Sequence, residues 1–207
     1  MAVFKITQEE INQYMARFEG SVPLVIYPRG LFTYKYQLHF VESEIDLKFG
    51  LSQIQDIKPN THYKIVAGFE KTKLEDFINL DWFGGGGGIP MTFNKRLVNK
   101  MRQLCPNDFI ALPITIINLS DQVDPYQNND FYIVNPLNTL DAIDKEKSTT
   151  YIYSSGTMDI KKRIYKKNPW QGHLIAFDKS IIQMIFHPTL AKELYPSKQF
   201  RFLTPEE

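Results

Sequence analysis

The sequence is poor in cysteine, long apolar runs and net charge. Cys105 is the only cysteine among 207 residues, which excludes an internal disulfide and any site built from several thiolates, and favours a reducing compartment. No segment approaches the roughly 20 apolar residues of a membrane span. The opening residues MAVFKITQEEINQYM lack the basic start and apolar core of a secretory signal. We therefore expect a cytoplasmic protein without a membrane partner.

Charge is balanced over the whole chain but not along it. The 24 Lys and Arg residues and the 23 Asp and Glu residues leave a formal charge of +1, so no global field attracts nucleic acid or anionic lipid. Segment 121–144 has five aspartates and no Lys or Arg, whereas segment 159–167 has five basic residues and one aspartate. Such blocks are typical of solvated loops and sheet edges, and also of surfaces that meet a charged partner.

Residue patterns predict short helices and strands in irregular order. TQEEINQYMARF begins with the capping box of Thr7 and Glu10, Thr92 or Asn94 can cap the helix in FNKRLVNKMRQL, and Pro188 suits the first turn of HPTLAKELY. A brief helix is predicted for TKLEDFINL, and a helical turn or short helix for PLNTLDAIDKEKS. Strands are predicted in PLVIYPRGLFTYKYQLHFV, KIVAGFE, DFIALPITIINL, FYIVN and QFRFL, with hairpins in YIYSSGTMDIKKRIYKK and GHLIAFDKSIIQMIF.

Because these elements do not alternate as regular βαβ units, we predict an α+β fold. It has a mixed, mostly antiparallel sheet with flanking helices, in one or two lobes. Within DFIALPITIINL, Pro113 predicts an edge position or a bulge.

Five consecutive glycines, residues 84–88, precede IPMTFNKRL. A phosphate loop needs such glycines between a strand and a helix, and its Walker form adds Lys-Ser or Lys-Thr. Here the preceding TKLEDFINL has a helical pattern, Pro90 removes one N–H donor, and no Lys-Ser or Lys-Thr follows. We therefore interpret residues 84–88 as a connection between an N-terminal α+β lobe (1–83) and a C-terminal α+β domain (89–207), and we expect no cofactor.

Residues able to perform chemistry are scattered. The histidines His39, His62, His173 and His187 match no local metal motif, and nothing near Cys105 in sequence suggests a lowered thiol pKa or a histidine base. One alternative is an enzyme with a dispersed site around His173, Asp144 and Lys162. Another is a nucleic-acid-binding module, in which KKRIYKK and Trp170 contact phosphates and bases, although the neutral total charge and the acidic block argue against it.

Several segments follow one another in a characteristic order. They are Thr92 and Asn94 before KRLVNKM, then Leu112-Pro113, YIVN (132–135), LDAID (140–144) with Ser148, IYK (164–166), HLIAF (173–177) and FRF (200–202). In this order, residues 89–207 resemble bacterial immunity protein family eleven of the polymorphic-toxin systems. The resemblance is incomplete: Thr or Asn stands where Ser is expected at the helix start, Asp178 stands where a basic residue is expected, and PSKQFRF lacks the usual glycine.

The resemblance implies a protein that binds a cognate toxin and protects the producing cell. It brings no catalytic residues, and the positions of Asp144 and Ser148 are better suited to organising a turn. We expect the toxin to contact acidic residues and aromatic anchors, namely Asp121, Asp124, Tyr126, Asp130, Asp141, Asp144, Glu146 and Trp170. An enzyme that reverses a toxin modification stays open as the alternative.

Overall fold

The computed structural model describes residues 7–16, 22–28, 38–44, 62–69, 81–83, 91–118, 127–152, 158–162, 164–181, 183–195 and 200–203. Within these ranges the fold is α+β, as predicted. Its helices are α1 (Gln8–Ala16), α2 (Lys95–Leu104) and α3 (Pro188–Leu194). Its strands are β1 (Val25–Pro28), β2 (Leu38–Ser43), β3 (Ile65–Phe69), β4 (Trp82–Phe83), β5 (Thr92–Asn94), β6 (Phe109–Asn118), β7 (Gln127–Pro136), β8 (Thr139–Leu140), β9 (Thr149–Ile152), β10 (Met158–Lys162), β11 (Ile175–Asp178), β12 (Gln183–Phe186) and β13 (Phe200–Leu203).

The largest sheet has six strands in the order β2-β3-β6-β7-β5-β4. Its neighbours pair antiparallel except β3 and β6, which are parallel. Pro113 pairs with Tyr132 of β7, and the register shifts just afterwards, between Ile114 and Ile116. The paired part of β3 begins opposite Thr115, so the proline lies where β3 does not need its missing N–H. The predicted edge or bulge position of Pro113 is confirmed.

Three smaller sheets complete the described fold. Strands β12, β11 and β8 form a three-stranded sheet, with β11 antiparallel to β12 and parallel to β8. Strands β9 and β10 pair antiparallel, and so do β1 and β13. The two predicted hairpins are thus confirmed. In PLNTLDAIDKEKS a single helical turn forms at residues 144–148, where Ser148 N donates to the Asp144 carbonyl at 2.9 Å, but no short helix does. This segment buries three apolar side chains, those of Leu140, Ala142 and Ile143. Their burial accompanies an extended chain at β8 and a bridge from Ile143 to Tyr165.

The strands that flank the glycine run belong to the same sheet. Trp82 pairs with Phe93, and Phe83 pairs with Thr92, so β4 and β5 are antiparallel neighbours. Strands β3 and β6 likewise join segments from the two sides of the glycines, and so do β1 and β13. The boundary predicted at residues 84–88 therefore falls between two paired strands. The glycines themselves and TKLEDFINL lie outside the described residues.

The main core lies beneath α2 and α3. Leu97, Val98 and Met101 of α2 are buried in a cluster with Phe186 and Phe202, whose ring centroids are 5.4 Å apart. Helix α2 begins at Asn94, whose side-chain oxygen accepts the Leu97 N–H at 3.0 Å, so the predicted cap is confirmed. Phe93, which lies in β5, is buried in the same cluster, whereas Leu104 at the end of α2 is 40% exposed. None of the described helices is long and apolar enough to cross a membrane.

Candidate functional site

The described residues among the eight predicted contacts lie on different elements of the fold. Asp121, Asp124 and Tyr126 lie outside the described residues. Asp130 is exposed near the start of β7 and makes a 3.5 Å ion pair with Lys95. The other three acidic residues lie together in the segment 141–148, called the 141–148 turn below. The acidic block in the sequence is therefore divided between different elements.

Trp170 is a core residue, so its prediction as an exposed contact is wrong. Its side chain is only 2% exposed and lies in a cluster with Leu140 and Ile185. The ring also meets that of His187 edge to face at a centroid distance of 5.2 Å. The preceding Pro169 is buried too, so the chain turns inward directly after the basic segment. A tryptophan beside lysines in sequence carries no signal of this inward turn.

Asp141 organises the first half of the 141–148 turn. Its carboxylate accepts the Ser180 hydroxyl hydrogen at 2.8 Å and lies 3.3 Å from Lys145 Nζ and 3.7 Å from Lys166 Nζ. Lys166 Nζ also donates to the Asp141 carbonyl at 2.7 Å. The Ser180 hydrogen bond, followed by the two lysines, lowers the pKa of the Asp141 carboxyl from its usual value. The acidic segment 121–144 and the basic segment 159–167 thus contact each other through Asp141 and Lys166.

Asp144 and Ser148 organise the second half. Asp144 accepts from the Lys147 backbone N–H at 3.3 Å and pairs with Lys147 Nζ at 2.7 Å, which lowers the pKa of its carboxyl. Ser148 N donates to the Asp144 carbonyl at 2.9 Å, and Ser148 Oγ accepts the Ile164 N–H at 2.9 Å. The turn-forming role predicted for these two residues is confirmed. Glu146 is exposed.

Asp178 ties β11 to this turn. Its buried carboxylate accepts the Ser180 N–H at 2.7 Å and the Ala142 N–H at 3.1 Å. Burial raises the pKa of this carboxyl, while its backbone donors act in the opposite direction. An acidic residue is therefore useful at a position where the resemblance leads one to expect a basic one, because only an acceptor can satisfy these buried N–H groups.

Asp108 and His173 form a pair that sequence reasoning missed. Asp108 follows α2 and is buried, and its Oδ1 lies 2.9 Å from His173 Nδ1. Its Oδ2 accepts the Leu174 N–H at 2.6 Å, and Asn138 Nδ2 approaches Oδ1 at 3.4 Å. The pair joins the start of β6 to the chain entering β11. The two residues are 65 positions apart, so no local motif indicates their contact.

Two exposed side chains and one residue with a positive φ belong to this pair or adjoin it. The His173 side chain is 32% exposed, and Leu137, whose N–H donates to the Asp108 carbonyl at 2.8 Å, is 49% exposed. Gln171 has a positive φ of 51°, the only such angle at a described non-glycine residue. Leu104 ends α2 four residues before Asp108. We call Leu137, Gln171 and His173, which bond to Asp108 or lie within two residues of one that does, the His173 face.

The thiol near this face is not poised for chemistry. Cys105 is buried, and its Sγ donates to the Met101 carbonyl at 3.3 Å. Burial, with a smaller effect of Asp108, raises the pKa of the thiol to about 12. This environment is that of a structural thiol. Of the dispersed site predicted around His173, Asp144 and Lys162, His173 pairs with Asp108 and Asp144 pairs with Lys147, while the side chain of Lys162 lies outside the part of the chain that the structure describes.

Other possible ligand sites are sparse in the described part of the chain. A cleft of about 440 Å³ lies between α1 and α3, lined by Asn12, Ala16, Pro188, Thr189 and Lys192. No group of three or more His, Cys, Asp or Glu residues that could hold a metal ion occurs among the residues described. Comparisons of the chain with models of known protein families and with curated proteins find no match.

Proposed function

We propose that the chain is an immunity protein that binds a cognate bacterial toxin in the cytoplasm and neutralises it through a stoichiometric protein–protein interaction. The observation that carries this proposal is the agreement between the segments of the immunity-family resemblance and the elements that they occupy. Asn94 caps α2, Leu112-Pro113 lies in β6, and YIVN lies in β7. Asp144 and Ser148 form a turn, HLIAF enters β11, and FRF lies in β13. These segments lie in elements of the type that the resemblance implies, except IYK (164–166), which forms only the isolated bridge between Tyr165 and Ile143 and no strand.

Neutralisation by binding needs a surface that is ordered before the toxin arrives, because ordering it during association weakens affinity. Two parts of the described chain have this property. The 141–148 turn is held by hydrogen bonds and ion pairs to Lys166 and Ser180, and the His173 face is held by the buried Asp108 carboxylate. Both are thus held by hydrogen bonds within the chain.

The product of a toxin-like reading frame next to this gene is the reagent for the test. The two proteins should co-purify, and expressing this chain should restore growth to cells that produce the toxin. A toxin from an unrelated system serves as the control and should be neither bound nor neutralised. A chain that neither binds nor protects against its neighbour's product would refute the proposal.

The Asp108–His173 pair favours one second candidate, an enzyme that reverses a toxin modification. A carboxylate that orients an imidazole is the usual arrangement for a general base. Titration separates the candidates, because a stoichiometric inhibitor protects up to about one molecule of toxin per molecule of inhibitor. An enzyme would instead keep protecting when it is greatly outnumbered by the toxin or by its modified target.

A further inference from the structure

His187 stands at the start of α3 and contacts three parts of the fold. Its Nδ1 accepts the Thr189 N–H at 3.1 Å, so its side chain is the N-cap of the helix. Its ring meets the buried ring of Trp170 edge to face, at a centroid distance of 5.2 Å. Its backbone N–H donates to the Leu174 carbonyl at 2.8 Å. One residue thus joins the first turn of α3 to the Trp170 cluster and to the chain entering β11.

The cap exists only while His187 Nδ1 carries no hydrogen. A neutral imidazole has one nitrogen that donates and one that accepts, so the bond from Thr189 assigns the ring hydrogen to Nε2. An imidazolium carries hydrogens on both nitrogens and cannot accept the Thr189 N–H. It would also place a positive charge at the positive end of the helix dipole. Because Pro188 has no N–H, Thr189 is the first donor of the helix, and protonation of His187 removes its partner.

The surroundings of His187 favour the neutral ring. Among the described residues, the only histidine within 4 Å of a carboxylate is His173, which pairs with Asp108. Burial lowers the pKa of the His187 imidazole. The other side chains that are charged near neutral pH on the elements around it are Glu9 of α1, Lys166 and Lys167 before Trp170, Asp178 of β11, and Lys192 and Glu193 of α3.

From this geometry we propose that His187 is a proton-sensitive switch of the fold, which holds the first turn of α3 against Trp170 when neutral and releases it when protonated. The inference does not depend on the proposed function. The released turn contains Pro188 and Thr189, which line the cleft between α1 and α3. Acidification therefore loosens the packing of these two helices before it affects the sheets.

The direction of the effect follows from linkage. A histidine whose folded pKa is lowered contributes stability that is fully present above its unfolded pKa, 6.5. That contribution is lost as the pH falls from the unfolded pKa through the folded one. An imidazole that stayed neutral throughout in the folded chain would raise the unfolding equilibrium constant about tenfold between pH 7.5 and 5.5. About tenfold is therefore the upper limit for His187 in this range.

The test compares urea unfolding of the full chain and of His187→Asn at pH values from 7.5 to 5.5. Asparagine is among the best N-cap residues and does not titrate, so the variant keeps a cap at every pH. Over this range the unfolding equilibrium constant of the unmodified chain should rise about three to ten times more than that of the variant. The control is His62→Asn, at an exposed histidine before β3, which should retain the pH dependence of the unmodified chain.

Nuclear magnetic resonance of the unmodified chain gives a readout that does not require a variant to fold. At pH 8 the ring nitrogen shifts of His187 should show the hydrogen on Nε2. The Ala191 N–H, which donates to the His187 carbonyl at 2.9 Å, reports on the first turn of α3. Its protection against hydrogen exchange should fall about fivefold as His187 gains its proton, which is the usual effect of losing a cap. The amide of Met101 in α2 serves as the internal control.

The other outcomes overturn the switch. Curves of the unmodified chain and His187→Asn that stay parallel within about twofold would show that the fold does not respond to this proton. Acid that stabilises the unmodified chain relative to the variant would show that attraction between the imidazolium and the Trp170 ring outweighs the lost cap. A hydrogen on Nδ1 at pH 8 would contradict the cap itself. None of these measurements uses a toxin, so their result leaves the proposed function standing or falling on its own test.

Discussion

Replacing Trp170 with alanine tests whether this ring stabilises the core or contacts a partner. The side chain is 2% exposed, and a buried tryptophan removes about 200 Å² from water. At about 25 cal/mol per Å², that area is worth about 5 kcal/mol, and truncations of this kind cost about 3–5 kcal/mol in measured series. We expect Trp170→Ala to lower the free energy of unfolding by about 3–5 kcal/mol, which is a lowering of the melting temperature by about 10 °C.

Urea unfolding followed by far-ultraviolet circular dichroism is the suitable assay. Tryptophan fluorescence is avoided because the variant loses one of the chain's two tryptophans. The dependence of the free energy on urea should stay close to that of the unmodified chain, which shows that the change lies in stability and not in the surface exposed on unfolding. Trp170→Phe should recover part of the loss, since it refills some of the cavity.

A surface role for Trp170 predicts the opposite pattern. Substitutions at exposed positions usually change stability by less than about 0.5 kcal/mol, while loss of an aromatic anchor weakens binding strongly. Finding Trp170→Ala as stable as the unmodified chain but defective in toxin binding would refute the assignment of this ring to the core.

Three further predictions concern other described residues. Asn94→Ala should lower the free energy of unfolding by about 1–2 kcal/mol because it removes the cap of α2, while the control Asn99→Ala, on the exposed face of the same helix, should cost less than about 0.5 kcal/mol; equal costs would contradict the capping role. Cys105 should react with a thiol reagent at pH 8 about a thousandfold more slowly in the folded chain than in the unfolded one, given a folded pKa of about 12, and rapid labelling of the folded chain would contradict its burial. The pKa of Asp141 is lowered in the folded state, so its contribution to stability is present above the unfolded pKa of about 3.8 and is lost as the pH falls through the folded pKa. Below about pH 4 the stability of the unmodified chain should therefore fall more steeply than that of Asp141→Asn, and parallel curves from urea titrations at each pH would contradict this.

Elements whose determinants are close in sequence could be predicted from the sequence. The cap of α2, the start of α3 at Pro188 and the hairpin of β11 and β12 each depend on residues that are close together in the sequence. Pro113 was informative for the same reason, because a missing N–H constrains the strand locally. The role of Asp144 and Ser148 follows from the known preference of their side chains for nearby backbone N–H groups.

Features set by distant partners could not be predicted in this way. The charges of segments 121–144 and 159–167 were counted separately. In the structure, Lys166 of the second segment donates a hydrogen bond to the carbonyl of Asp141 in the first, 25 residues away. The Asp108–His173 contact spans 65 residues, and neither residue lies in a motif that would select it. Of the helical turn or short helix predicted at residues 136–148, only one turn at 144–148 formed, because burial of Leu140, Ala142 and Ile143 keeps the preceding chain extended. Tertiary packing commonly overrides such weak propensities.

The pairing of β1 with β13 also determines how the fold responds to mechanical force. Val25 lies opposite Leu203, and Pro28 lies opposite Phe200. The chain that precedes Val25 and the chain that follows Leu203 therefore leave the pair at the same end. Tension between these two segments loads the hydrogen bonds one after another, as in a zipper, and not together in shear. A cellular unfoldase that pulls on the segment before Val25 would first break the two hydrogen bonds between Leu24 and Phe186 and would then open the β1–β13 pair bond by bond.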